Sequence, residues 1–333
     1  MNSIIAGRFG HSPVHLGDKF QDGRYTVPRK LGWGEFSTVW AARDNPERKY
    51  VALKISPVVK REGMRKRMEN EKRFIRFNGT MKSKPDEFDC NPASLTGSDQ
   101  LAATYDHFVL EGPSGQTGSS CIDKRKKEDG TLPRELVRRN AKDSLLDLRT
   151  LHGLGLAHGD LRISNLAFAP PPMDHLKEEE ICQKPGEHVI KKEWATNSSK
   201  MCVPKYMVQL CEFSEERSSQ WLNVKISDFG ENVNTGKRGE IVIPTAYRAS
   251  EVVCKAPYDH RIDLWNMSAM QSGRPLQERL EEISSANGKM LGLSREEMAN
   301  VGEIIGKMLR IDTSGRASAA EILEDPWFRD AQC

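Results

Sequence analysis

The most informative part of the chain is residues 158–165, which read His158-Gly159-Asp160-Leu161-Arg162-Ile163-Ser164-Asn165. Transfer of a phosphoryl group to a hydroxyl needs a carboxylate that orients the hydroxyl and accepts its proton, and an oxygen ligand that helps to hold Mg²⁺. Asp160 and Asn165 supply these two groups on one short loop. The sequence therefore predicts a phosphoryl-transfer site at this loop.

A second motif, Asp228-Phe229-Gly230, follows a short predicted strand at Val224-Lys225-Ile226. Its carboxylate is predicted to be the main protein ligand of Mg²⁺. Each short match is common by itself, but chance rarely produces both motifs in this order. The segment before the first motif is predicted to be a helix over 133–152, because its apolar residues recur at intervals of three and four and Pro133 suits a first helical turn.

Two glycines separate predicted strands in the stretch Leu31-Gly32-Trp33-Gly34-Glu35-Phe36-Ser37-Thr38-Val39-Trp40. Glycines let backbone N–H groups approach phosphates closely, although such a hairpin is more often only a hairpin. Lys54 then follows on the strand Val51-Ala52-Leu53-Lys54, from which it can reach phosphate oxygens. Glu71 is predicted to hold Lys54, because two apolar residues follow it at three and four positions and place it on the inner face of a helix.

The composition excludes several classes of protein. The 333 residues are 37% hydrophobic and 29% charged with a net charge of +3, which is typical of a globular protein and gives no field that attracts nucleic acid or an anionic membrane. The seven cysteines form no C-x-x-C pair, which favours reduced thiols. No apolar run approaches the roughly 20 residues that cross a bilayer. We expect a monomer of the cytoplasm and nucleus that binds neither nucleic acid nor membrane directly.

The predicted elements define an α+β fold with three predicted domains. Residues 1–23 are predicted to be an N-terminal extension, 24–120 a β-rich lobe and 121–330 a second, mainly helical lobe. The strands expected in the β-rich lobe begin near Tyr25, Ser37, Tyr50 and Tyr105, with a helix over 61–77. Residues 170–220 are polar and are predicted to be a largely mobile loop inserted into the second lobe, since they contain too few apolar side chains for a core.

Taken together, these motifs resemble those of the eukaryotic protein kinases, and most closely the SR-protein kinase family in its fungal form. The resemblance is carried by the glycine-rich stretch, by His15-Leu16-Gly17-Asp18, by His158-Gly159-Asp160-Leu161 and by Val203-Pro204-Lys205-Tyr206-Met207-Val208. It implies a bilobal kinase-like fold, MgATP as the co-substrate, and transfer of the γ-phosphoryl group to serines of Arg/Ser-rich proteins.

The resemblance also implies a role for each matching residue. The catalytic residues it implies are Asp160, Lys54 and Arg162, and the metal ligands are Asn165 and Asp228. The nucleotide-binding residues it implies are Leu31, Gly32, Gly34, Ser37, Val39, Ala52, Lys54 and Glu71. It further implies that Glu251 pairs with Arg316 and that Asp263 anchors the catalytic loop.

Two segments are shorter than the family pattern requires. Only residues 111–132 stand where a strand, an adenine-binding hinge and a helix are expected, and two helices after Trp265 are reduced to 266–275. Two hypotheses therefore stay open, an active Ser/Thr kinase and a catalytically impaired pseudokinase or binding module of the same fold. The loop at 158–161 also resembles that of aminoglycoside-type phosphotransferases, but the glycine-rich loop, Glu251 and Arg316 argue against this third hypothesis.

Overall fold

A computed structural model of the chain describes residues 2–9, 14–34, 37–58, 66, 69–70, 104–111, 134–162, 165–169, 178–182, 189–190, 207–208, 223–231, 233–234, 241, 243, 245–269 and 295–329. The chain divides into two units. The first comprises Met1–Ile75, Ala102–Cys121 and Ala169–Trp221, and the second comprises Arg76–Leu101, Ile122–Phe168 and Leu222–Cys333. In the described residues the first unit consists mostly of strands and the second mostly of helices, which agrees with the predicted α+β class.

The strands are β1 (Asn2–Phe9), β2 (Lys19–Phe20), β3 (Tyr25–Gly34), β4 (Ser37–Asp44), β5 (Lys49–Val58), β6 (Thr104–Glu111), β7 (Leu156–Ala157), β8 (Leu166–Ala169), β9 (Val189–Ile190), β10 (Met207–Val208), β11 (Asn223–Ile226) and β12 (Val233–Asn234). The helices are α1 (Arg134–Gly153), α2 (Glu178–Ile181), α3 (Ser250–Val253), α4 (Ile262–Ala269), α5 (Arg295–Met308) and α6 (Ala319–Leu323), with 3₁₀ turns at Phe229–Glu231, Thr245–Tyr247 and Pro326–Phe328.

A six-stranded sheet of order β2-β3-β4-β5-β1-β6 forms the first unit. Its strands β3, β4 and β5 pair antiparallel and begin near the predicted positions, but β3 continues through Gly32 and Gly34, which the sequence placed between strands. On β5, Val51, Leu53 and Ile55 are buried while Lys54 is partly exposed, which is the period-two alternation of a strand with one face on the core. The core face is completed by Tyr25, Val27, Trp40 and Ala42.

The sheet also contains β1, which lies in the part predicted to be an N-terminal extension. Asn2–Phe9 pairs parallel with β5 on one side and with β6 on the other. The sequence did not indicate this strand, because Ile4 and Ile5 are its only large aliphatic residues and no alternation surrounds them. Its partners lie far along the chain, where local periodicity carries no information about pairing.

The inserted segment 170–220 differs from the predicted mobile loop in its described parts. These parts are α2, β9 and β10, and β10 pairs antiparallel with β9. Ile181 and Val208 are buried, and Val208 belongs to the core of the first unit. The segment is too polar to form a core of its own, but a few of its apolar residues need only an existing core against which to pack.

Helix α1 lies at the centre of the second unit and agrees with the helix predicted over 133–152. Leu145, Leu148 and Leu151 are fully buried along one stripe, as the intervals of three and four predicted. A turn closed by the hydrogen bond from Leu154 N to Leu151 O ends the helix and leads into β7. Within the residues described, no helix combines the length and apolarity needed to span a membrane.

Candidate active site

Lys54 of the first unit lies in a cross-strand row with Val39 and Gly32. The register pairs Gly32 of β3 with Val39 of β4, and Val39 with Lys54 of β5. Paired residues of neighbouring strands project from the same face, and strands lie about 4.8 Å apart, so Lys54 is about 10 Å from Gly32 across the sheet. This face is opposite the one that buries Leu53 and can receive the phosphates of a nucleotide.

The remaining nucleotide-binding residues implied by the resemblance lie around this row. Ala52 is on the same face of β5 as Lys54, and Gly34 pairs with Ser37 where β3 meets β4. Leu31 lies at an irregularity in the register between Lys30 and Gly32. Glu71, the predicted partner of Lys54, lies outside the described residues.

The catalytic loop of the second unit is anchored by Asp263 at the start of α4. Asp263 Oδ2 accepts hydrogen bonds from His158 N at 2.7 Å and from His152 Nε2 at 2.9 Å, and Oδ1 accepts from Gly159 N at 3.0 Å. The backbone at Gly159 has a φ of +76°, a conformation that suits glycine. Asp263 therefore has the anchoring position that the resemblance implied.

Asp263 is fully buried, and its electrostatic surroundings explain how it remains ionised. Burial by itself raises the pKa of a carboxyl group. The hydrogen bonds from His152 and from His158 N, together with the electrostatic effect of the two nearby imidazoles, act in the opposite direction, and the pKa of Asp263 lies below its ordinary value. The loop is thus held by a carboxylate that stays charged at neutral pH.

His158 connects the catalytic loop to the Asp228-Phe229-Gly230 segment. Its Nδ1 accepts a hydrogen bond from Asp160 N at 3.3 Å, so its Nε2 carries the proton and donates to Ser227 O at 3.0 Å. The imidazole ring also lies 5.3 Å from the ring of Phe229, centroid to centroid. One side chain therefore fixes the backbone on both sides of the site.

Asp160 is buried and held within the loop by two of the other predicted residues. Arg162 Nη2 donates to Asp160 Oδ2 at 2.8 Å, and Asn165 Nδ2 donates to the backbone oxygen of Asp160 at 2.8 Å. Asn165 Nδ2 also lies 3.5 Å from Asp160 Oδ2. These bonds restrict the rotamer of the carboxylate, which an orienting general base requires.

Asn165 and Asp228 are brought together through Ser227. The backbone oxygen of Asn165 accepts from Ser227 N at 2.8 Å and from Ser227 Oγ at 3.0 Å, and Asp228 is the next residue. Because the amide nitrogen of Asn165 donates to the Asp160 backbone, its amide oxygen is the atom that can bind a cation. An amide oxygen and a carboxylate are ligands that Mg²⁺ prefers, so the two residues fit this ion.

Arg162 has a hydrogen-bond donor, Nε, to which a phosphoryl oxygen could bind. Its Nη2 is bonded to Asp160, but its Nε is buried and has no hydrogen-bond partner among the residues that the structure describes. A buried donor without a partner is costly, and guanidinium groups bind phosphate oxygens well. The fork of Arg162 can therefore contact the Asp160 carboxylate and a phosphoryl oxygen at once.

Glu251 and Arg316 form the predicted pair in the second unit. Arg316 Nη1 donates to Glu251 Oε1 at 2.6 Å and Nη2 donates to Oε2 at 2.9 Å, and both side chains are buried. The Arg316 guanidinium also lies 5.0 Å from the centre of the Trp265 ring. This bidentate contact confirms the pairing that the resemblance implied.

Two residues of the site were missed by the sequence analysis. His152 is a hydrogen-bond partner of Asp263, and Ser227, which precedes Asp228, donates hydrogen bonds to the backbone oxygen of Asn165. His152 could have been noticed, because it follows Leu148 by four residues and so lies on the buried stripe of α1. Ser227 carries no comparable signal, since its role depends on a contact with a residue 62 positions away.

The strand-rich first unit, the mainly helical second unit and the geometry of this loop are those of a protein-kinase fold. A solved kinase domain has a TM-score of 0.53 with this chain at 16% identity, and the match covers 96% of this chain and 98% of that one. At this identity the likeness shows the fold alone. No protein-family model matches the chain.

Curated relatives carry the comparison further. Serine/threonine-protein kinase SKY1 of Saccharomyces cerevisiae is 31% identical over 168 residues, which are 47% of this chain and 21% of that protein. SRSF protein kinase 3 of Homo sapiens is 56% identical over 46 residues, which are 14% of this chain and 8% of that protein. The matched segments thus span 21% and 8% of the length of these two relatives. The chain is a protein-kinase homologue related to the SR-protein kinases, as its motifs predicted.

Proposed function

We propose that the chain is an ATP-dependent Ser/Thr protein kinase that transfers the γ-phosphoryl group to serines of Arg/Ser-rich proteins. The observation that carries this proposal is the arrangement of Asp160, Asn165 and Asp228. The buried Asp160 carboxylate lies beside the side-chain amide of Asn165, and Ser227, the residue before Asp228, donates to the backbone oxygen of Asn165. Homology to kinases of the SR family supports the substrate class.

In the proposed reaction the serine hydroxyl attacks the γ-phosphorus of ATP, so that a new O–P bond forms while the bond to the β-phosphate oxygen breaks and ADP leaves. Asp160 orients the hydroxyl and accepts its proton. Arg162 holds Asp160 through Nη2 and presents Nε to a phosphoryl oxygen. Bound Mg²⁺, held by Asn165 and Asp228, would neutralise charge on the phosphates. Lys54 is proposed to contact the phosphates from its strand.

The proposal is tested by incorporation of γ-phosphate from MgATP into an Arg-Ser repeat peptide, with a Lys-Ser peptide as the control substrate. Asp160→Asn should lower turnover by about 10²- to 10⁴-fold with little change in nucleotide binding, because it removes the proton acceptor alone. Asp22→Asn, an exposed carboxylate in a turn, is the matched control and should have no effect.

Each result separates the hypotheses. Incorporation that Asp160→Asn leaves unchanged would contradict the mechanism. No incorporation by a folded wild-type chain would favour the pseudokinase or binding module that the sequence left open. Equal incorporation into both peptides would keep the kinase activity and reject the Arg/Ser preference. We further propose that the protein acts in the cytoplasm and nucleus, which imaging of a tagged full chain would test.

A further inference from the structure

Strand β11, which leads to Asp228, has one edge covered by a helix instead of a strand. One edge of β11 pairs with β8. On the other edge Val224 N donates to Asp143 Oδ2 at 3.0 Å and Ile226 N donates to Asp147 Oδ2 at 2.8 Å. Residues two apart on a strand direct their N–H groups the same way, and residues four apart on a helix share a face. The two carboxylates of α1 therefore occupy the place of a third strand.

The same stripe of α1 contacts β11 at two further points. Arg139, four residues before Asp143, donates from Nη2 to Asn223 Oδ1 at 2.7 Å. Lys225 Nζ lies 3.7 Å from Asp147 Oδ1, so both oxygens of Asp147 are engaged. Successive residues of the stripe on α1 contact successive positions along β11, from Asn223 to Ile226. The stripe therefore specifies the position of β11 along the helix.

Asp147 is the buried member of this stripe and the closest to the active site. It is 1% exposed, and Ile226, the residue it binds, comes two residues before Asp228. The next amide, Ser227 N, donates to Asn165 O at 2.8 Å. Adjacent amides in a strand point to opposite sides, so the chain is held from both sides immediately before Asp228. Asp228 itself has a φ of +68°, a left-handed conformation that is uncommon outside glycine, although Asp adopts it more readily than most residues.

We infer that Asp147 is a positioning residue that sets the location of Asp228 for metal binding by holding the amide of Ile226. This inference rests on the proposed function, because it concerns the Mg²⁺ ligand of that site. Removal of the acceptor leaves a buried N–H group without a partner and frees β11 to shift along α1. Asp228 then loses its placement beside Asn165, although neither metal ligand has been changed.

The experiment compares Asp147→Ala with Asp147→Asn, which keeps an oxygen acceptor at the same position, and with Asp143→Ala, which removes the acceptor farther from Asp228. The affinity for ATP is measured by thermal shift with excess Mg²⁺ and again with EDTA. Asp147→Ala should reduce the Mg²⁺-dependent gain in affinity about tenfold, the effect of one hydrogen bond, and leave the affinity in EDTA unchanged. Asp147→Asn should restore the gain, and Asp143→Ala should change it little.

Hydrogen exchange of the amides near Asp228 gives a second readout that needs neither metal nor activity. Asp147→Ala should speed exchange at Ile226 and Ser227 at least tenfold, whereas Asp147→Asn should keep it slow. If Asp147 contributed only to general stability, both alanine variants would have lower melting temperatures, but the difference between the ATP affinities in Mg²⁺ and in EDTA would stay as in the wild type. That result would overturn the inference. If Asp147→Ala does not fold, Asp147→Glu, which moves the carboxylate by one methylene, replaces it with the same expected result.

The two proposals fail in different ways. A folded wild-type chain whose ATP affinity does not depend on Mg²⁺ would reject metal-dependent catalysis as proposed above. The positioning role would then be decided by hydrogen exchange alone, and equal exchange in Asp147→Ala and Asp147→Asn would reject it.

Discussion

The ion pair between Glu251 and Arg316 shows how single buried residues hold the second unit together. Both hydrogen bonds are shorter than 3 Å and both side chains are shielded from water. A buried charge that loses its partner keeps its desolvation cost, so removal of one partner costs more than the pair itself contributes. The Arg316 guanidinium also lies over the Trp265 ring, so removal of Arg316 loses a cation–π contact as well.

We predict that Glu251→Ala and Arg316→Ala each lower the free energy of unfolding by about 3–5 kcal/mol. The double variant should cost clearly less than the sum of the two. The control is Lys307→Ala in the surface pair of Lys307 and Asp325, 3.1 Å apart, which should cost less than about 1 kcal/mol. Urea denaturation of all the variants provides the test, and additive effects in the buried pair would contradict the prediction.

Asp147 provides a prediction about pH. Burial raises its pKa from 3.8 to about 7, against the opposing effects of Lys225 and of the Ile226 N–H group. Between these two values the folded state binds more protons than the unfolded state, so this group's contribution to stability falls as the pH rises towards 7 and stays constant above it.

Asp147→Asn does not titrate and should therefore gain stability relative to the wild type as the pH is raised from 5 to 7. The slope of this difference is at most about 1.4 kcal/mol per pH unit. Above pH 8 the difference should no longer change. Melting temperatures of the two proteins measured across this range provide the check, and parallel curves would show that Asp147 is ionised throughout.

At the scale of elements, β1 is the part of the sheet that most depends on distant partners. It pairs with β5 and β6 along its whole length, so without it both strands present unpaired N–H and C=O groups. An open strand edge also promotes association with other chains. The N-terminal residues therefore complete the sheet that carries Lys54.

A variant that begins at residue 10 should lose slow hydrogen exchange in β5 and β6 and should aggregate on heating. Slow exchange in α1 of the second unit is expected to persist, and it serves as the internal control. Unchanged protection of β5 in the shortened chain would show that the pairing of β1 contributes nothing.

The inserted segment is a second element that the sheet stabilises. Lys30 Nζ donates to Val208 O at 3.0 Å and lies 5.5 Å from the centre of the Trp40 ring, and Arg29 Nη1 donates to Ile181 O at 3.4 Å. Desolvation accordingly lowers the pKa of Lys30. The strand that carries Gly32 thus also binds two described parts of the insert.

Val208→Ala should lower the free energy of unfolding by about 2 kcal/mol, because it leaves a cavity beside a close-packed core. Val253→Ala, at an exposed position, should cost less than about 0.5 kcal/mol. Thermal denaturation compares the two variants. Equal melting temperatures would contradict a contribution of Val208 to the core and would agree with the mobile loop that the sequence predicted.

At the scale of the whole molecule, the proposed function makes nucleotide binding depend on both Lys54 and Asp228. Lys54→Ala should weaken the binding of ATP with and without Mg²⁺, since it removes a phosphate contact, whereas Asp228→Ala should weaken it only when Mg²⁺ is present. Titration calorimetry with and without EDTA distinguishes the two patterns. Wild-type affinity in both variants would contradict the proposed site.

Much of this molecule could be predicted from local sequence. The spacing of leucines specified α1, the alternation on Val51, Leu53 and Ile55 specified β5, and the motifs containing Asp160 and Asp228 indicated the chemistry. Such signals are readable because helix and strand periods repeat within a few residues, and because phosphoryl transfer admits few kinds of side chain. Resemblance to a family also supplied the pairing of Glu251 with Arg316, which composition alone does not reveal.

Only the tertiary structure decided which distant segments meet. The pairing of β1 with β5 and β6, the burial of Val208 and the contact of Asp147 with Ile226 join residues from about fifty to nearly 180 positions apart. A single charged residue on a helix is predicted to be solvent-exposed when only its neighbours in sequence are considered, because its hydrogen-bond partner lies far away along the chain. Whether such a carboxylate faces water or replaces a strand depends on packing, and packing is a property of the folded chain.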